Sequence, residues 1–157
     1  MLSRMTRRER LLTIAALAMG SEFASPAMLI HLAEAYWKSG LPDEGLRVVD
    51  NAQTQLKKSE ERLQESEIYR LKGELLRIRG QPDSDVEANF QQAIDISRRQ
   101  EARSLELRAV MSLSRLWHSQ GKQEEAHRML AEIYDRFSEG FDTHDLKEAK
   151  ALLEELS

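Results

Sequence analysis

Apolar residues recur along the chain at three- and four-residue steps, the period of a helix with one buried face. They fall into paired segments. The pattern predicts helices over residues 26–39, 60–79 and 103–120, each followed by a second helix over 42–58, 84–99 and 122–137. Gly40, Gly80 and Gly121 stand 40 and 41 residues apart at the ends of the first helices. There a glycine can take the left-handed conformation that closes a helix. Pro42 and Pro82 follow their glycines, where proline is tolerated near a helix start.

Anchored on those glycines, the three units align position by position. Seven residues earlier stand Ala33, Gly73 and Ser114, all small, and four earlier stand Tyr36, Leu76 and Trp117, all large. Beyond the turn come Gly45, Val86 and Ala126, then Val49, Phe90 and Leu130, then Ala52, Ala93 and Ile133. The middle unit needs one extra residue in its turn, around 81–84. Small residues where two helices cross, flanked by bulky ones, suit a packed helical hairpin. The reading is a tandem array of about 26–58, 60–99 and 101–137 within a domain spanning 24–157. A last helix, 143–156, has an apolar stripe of Leu146, Ala149, Leu152, Leu153 and Leu156, with Thr143 as its expected N-cap. Its other face is charged, as a helix capping the end of a stack requires.

The amino end is different. Arg4, Arg7, Arg8 and Arg10, less Glu9, give the first ten residues a charge of +3. The apolar run 11–19 that follows is too short to cross a bilayer, which takes about 20 residues. Met19-Gly20-Ser21-Glu22-Phe23 reads like a junction encoded by two restriction sites. Residues 1–23 are therefore either foreign to the domain or an extra amphipathic helix, and carry no functional reading. If a preceding unit is missing, Leu29, Ile30 and Leu32 are expected to be covered by residues 11–18 or by a second copy of the chain.

Composition narrows the class further. In 157 residues there are only 7 Gly and 3 Pro, too few turn-formers for a sandwich or barrel. The absence of Cys excludes disulfides, thiolate metal sites and a cysteine nucleophile, and fits a reducing, cytoplasmic setting. A net charge of −4 argues against general nucleic-acid binding.

The landmarks resemble the tetratricopeptide repeat, although the period exceeds the usual 34 residues of that family. The strings 33–36, 69–76 and 104–109, with the tail Glu139-Gly140-Phe141-Asp142-Thr143 and residues 145–153, are similar to one group in particular. These are the carboxy-terminal repeats of large bacterial proteins that join a cyclase or transcription-regulator domain to an ATPase module. The resemblance covers about residues 26–157, with two of that group's linker glycines replaced by Ser59 and Glu101. It implies an all-α, right-handed superhelix of antiparallel hairpins ending in a capping helix. It also implies a carboxy-terminal piece without catalytic parts.

Enzymatic chemistry is not indicated. No phosphate loop is present, and the isolated Glu124/His127 and His31/Glu34 spacings lack the second motif of a bundle metal site. Glu124 and His127 are expected to face solvent. No metal, cofactor or catalytic residue is predicted. The candidate site is instead the inner face that such arrays line with their first helices. The resemblance places Ile30 and Trp37 there from the first unit, with Arg70, Glu74 and Arg77 from the second. The third supplies Arg108, Met111, Arg115 and His118. Four arginines suit an acidic peptide or a carboxylate, which a guanidinium fork can grip. The competing expectation is that these arginines satisfy nearby carboxylates: Arg70 and Arg77 pairing with Glu74, Arg108 with Glu106, or Arg115 with a neighbouring carboxylate. Three readings follow: a protein-interaction or regulatory scaffold, a purely architectural segment of a multidomain signalling protein, and, far behind, a cryptic enzyme. Self-association through the amino-terminal edge is a further expectation; nucleic acid and membrane are not.

Overall fold

A computed structural model describes residues 6–19, 24–59 and 62–157. Among these, the chain forms eight helices and no strand: α1 (Arg7–Met19), α2 (Pro26–Lys38), α3 (Pro42–Lys58), α4 (Glu65–Arg79), α5 (Asp83–Arg99), α6 (Arg103–Ser119), α7 (Gln123–Tyr134) and α8 (His144–Leu156). No described helix is long and apolar enough to cross a membrane.

Each helix packs on the next, most extensively within the pairs α2/α3, α4/α5 and α6/α7. Turns this short leave paired helices antiparallel. The first helix of each pair also touches the first helix of the following pair, so that α2, α4, α6 and α8 lie side by side. α1 lies against α2 and α3.

The turns explain the pairing. Gly40, Gly80 and Gly121 have φ of 68°, 82° and 79°, a region that costs other residues a steric clash. Each closes its helix with the same two bonds. The glycine N–H donates to the carbonyl three residues back, and the next N–H reaches five back: Leu41 to Tyr36, Gln81 to Leu76, Lys122 to Trp117. At the opposite end, Glu101 takes a φ of 54° and closes α5 in the same way, with Ala102 N–H donating to Ser97.

The small and bulky positions that align between units are buried where the helices cross, apart from the half-buried Leu76 and Trp117. A Cβ built on Gly73 would lie 2.5 Å from the Phe90 ring, and one on Gly45 would lie 2.5 Å from Leu75. In the third pair the hydroxyl of Ser114 donates to the carbonyl of Ala126 at 3.3 Å. The apolar interior divides at α4. Ile68, Leu71 and Leu75 join α1, α2 and α3 in one cluster, while Tyr69 and Leu76 pack against the cluster of α5 to α8.

Several boundaries differ from expectation. α4 begins at Glu65, five residues later than predicted, with Arg62–Gln64 in a turn and residues 60 and 61 outside the described segments. Leu63, 68% exposed, offers no apolar face that would extend the helix upstream. α7 stops at Tyr134, because Arg136 and Phe137 make three-residue turn bonds. Thr143 has the extended backbone of an N-cap, yet its hydroxyl turns away from α8 and donates to the Gly140 carbonyl at 2.6 Å.

At the amino end, Leu29, Ile30 and Leu32 are buried in the same cluster as Leu11 and Ala15 of α1. α1 thus supplies one of the two coverings expected for this edge. The Tyr36 hydroxyl donates to the Leu11 carbonyl at 2.9 Å, and burial raises its pKa, with Glu44 adding to the effect. The junction at 20–23 lies outside the described residues.

Candidate functional site

The row α2, α4, α6, α8 carries an open groove of about 700 Å³. Seven of the nine sequence-predicted inner-face residues line it: Trp37, Arg70, Glu74, Arg77, Arg108, Met111 and Arg115. They are joined by Glu34 and Lys38 from α2, Ile78 from α4, and His144, Asp145 and Glu148 from α8. His118 is elsewhere. It sits in a shallower notch with Leu152 and Glu155, its Nδ1 3.6 Å from the Glu155 carboxylate. Ile30 is also absent from the groove, because its side chain turns into the core beside α1.

The arginines do not form a free basic strip. Arg70 is 4% exposed and meets Glu67 bidentately, Nε to Oε2 at 2.9 Å and Nη2 to Oε1 at 2.6 Å. Glu74 stands 3.9 Å away on its other side, and the guanidinium carbon lies 5.4 Å from the Trp37 ring centre. Burial works against this cation. The hydrogen bond and charge of Glu67, with the charges of Glu74 and Glu34, outweigh it and raise the Arg70 pKa.

Arg108 ties three helices together. Its Nη1 is 2.9 Å from Glu67 on α4, its Nη2 is 3.6 Å from Glu34 on α2, and its Nε is 3.9 Å from Asp145 on α8. Glu106, the expected partner of Arg108, faces away from the groove. It is buried against Arg98 at 2.7 Å and Arg136 at 3.7 Å instead. Successive residues this close cannot share a helix face. Arg115 reaches Glu148 at 3.7 Å, and Glu74 accepts a 2.7 Å hydrogen bond from Ser112. Glu34 also holds Lys38 at 3.0 Å. Burial raises its carboxyl pKa, but the Lys38 hydrogen bond and charge, then Arg108 and Arg70, bring it below the ordinary value.

Arg77 is the exception. Among the described residues its side chain has no hydrogen bond, ion pair or ring contact, although it is half-buried at the groove wall. Next to it Ile78 remains 44% exposed. The intrahelical pairing of Arg77 with Glu74 expected from spacing does not form, because Glu74 is turned to Ser112 and Arg70.

Sequence reasoning missed Glu34, Glu67, Asp145 and Glu148. Local signals existed for three of them: Glu67 stands three residues before Arg70, Glu34 four before Lys38 and Glu148 four after His144. No group of three or more metal-ligating side chains converges among the described residues, and Glu124 is exposed at the start of α7.

Neither family models, curated proteins nor solved structures yield a match to this chain.

Proposed function

We propose that α2–α8 form a tetratricopeptide-like right-handed superhelix, capped by α8, that acts as a non-catalytic interaction or regulatory scaffold in the cytoplasm. Three helix pairs closed by the same glycine turn support the array, as does the side-by-side row of first helices. The observation that carries the functional reading is the 700 Å³ groove along that row, which joins an unpaired arginine to accessible apolar surface. Its occupant is a peptide or a neighbouring domain.

A photo-crosslinking side chain at Ile78, inside the groove, tests this against one at Gln91, exposed on α5. Adducts with protein at position 78 and not at 91, in extracts of the source cells, are the expected result. Equal yields at both positions, or none at either, would count against a binding groove.

The architectural reading has one observation in its favour. Arg70, Arg108 and Arg115 are all engaged by carboxylates of the chain itself, as residues holding helices in register would be. In that reading the segment spaces or packs domains of a larger signalling protein, and the groove stays empty.

A further inference from the structure

The groove is nearly balanced in charge, and the balance is uneven across it. Arg70 and Arg108, at its floor, already face carboxylates on two or three sides. On the α8 side, Asp145 and Glu148 are 36% and 44% exposed, so that side repels a second anion. Arg77 on α4 is the groove cation without a counter-charge among the described residues. An unpaired guanidinium in a half-buried wall is incompletely solvated, and a carboxylate fits its fork with two parallel hydrogen bonds. The 44%-exposed Ile78 follows it on α4, and Trp37, with Arg70 over its ring, lines the same groove.

From this arrangement we propose that the groove takes an extended peptide segment bearing a side-chain carboxylate next to an apolar side chain. The carboxylate seats on Arg77, and the apolar neighbour lies on Ile78 and Trp37. The inference rests on the groove reading above and deepens it. It places the anion contact at Arg77 and removes it from Arg70, Arg108 and Arg115. A ligand carboxylate at those three would have to displace a carboxylate already in place.

The test uses the full chain and a random peptide library displayed on phage, followed by affinity measurements on the selected peptides. Enrichment of Asp or Glu beside an apolar residue is expected, with binding weakened about tenfold by Arg77→Gln. Weakening by Ile78→Lys and by added salt is expected as well. Circular dichroism checks that both variants remain folded, as expected where Arg77 has no side-chain partner among the described residues and Ile78 is exposed. Peptides lost with Ile78→Lys but lacking acids and indifferent to Arg77→Gln would overturn this inference and leave the groove reading standing. Peptides indifferent to both variants, or no selected peptide at all, would overturn both.

Discussion

Glu67 and Arg108 meet at 2.9 Å across 41 positions of sequence, and the same carboxylate oxygen, Oε1, also receives Arg70. One acidic group thus serves two guanidinium ions from two helices, with its own side chain 5% exposed. Removing half of such a pair leaves the other half charged, buried and poorly solvated.

Glu67→Gln is accordingly expected to destabilise the fold by about 3 kcal/mol, read from urea or thermal unfolding. The double variant Glu67→Leu/Arg70→Met should recover much of that loss, because it removes charge and partner together. A double variant no more stable than the single would show that the ion pair is not the origin of the effect.

Acid should loosen the groove. The Glu34 carboxyl titrates below its ordinary 4.5, so the folded state holds the ionised form more tightly than the unfolded chain does. This contribution is fully present above about pH 4.5 and lost as pH falls through the lowered folded value. Unfolding curves measured from pH 6 downward should therefore fall less steeply in Glu34→Gln than in the parent.

Alkali should act at the other end of the molecule. The Tyr36 hydroxyl is raised above 10.0, so its neutral form is favoured by folding. That stability is present below pH 10 and lost as pH rises through the raised folded value. Tyr36→Phe should also release α1, seen as faster amide exchange over Arg7–Met19, at a cost of about 1 kcal/mol.

Gly73→Ala should destabilise by about 1–3 kcal/mol despite alanine's better helix propensity, because the new methyl meets the Phe90 ring at 2.5 Å. Adding Phe90→Leu should restore part of the loss. Equal stability of Gly73→Ala and the parent would mean that the ring moves aside freely.

Glu101→Gly should have the opposite sign. A non-glycine residue at a φ of 54° carries strain that glycine lacks, offset in part by glycine's greater freedom in the unfolded chain. A net gain of about 0.5–1 kcal/mol in unfolding free energy, read from a raised midpoint, is expected.

The helices were legible because burial here follows local periodicity. Val49, Phe90 and Leu130, at one aligned position, are each 1% exposed or less. The glycine turns were legible for a related reason, since a positive φ leaves its mark on a single residue. Long-range charge pairing leaves no such mark. Whether Arg108 meets Glu106 or Glu67 depends on how α6 is rotated against α4, and no short spacing encodes that angle. The same limit misplaced Ile30, which faces α1; Thr143 differs for a local reason, its hydroxyl donating to the Gly140 carbonyl instead of accepting from an N–H in the first turn of α8.

The knot of Arg70, Glu67, Arg108 and Glu34 draws its members from α2, α4 and α6, the first helix of each successive pair. The apolar contacts between neighbouring pairs could be made by any hairpin of suitable size. The charges cannot. A second hairpin placed first would part Glu67 from Arg108 and leave it only the Arg70 of its own helix. Each hairpin therefore carries an address within the stack, and shuffled or duplicated versions of this chain should assemble less well than their shared backbone geometry would suggest.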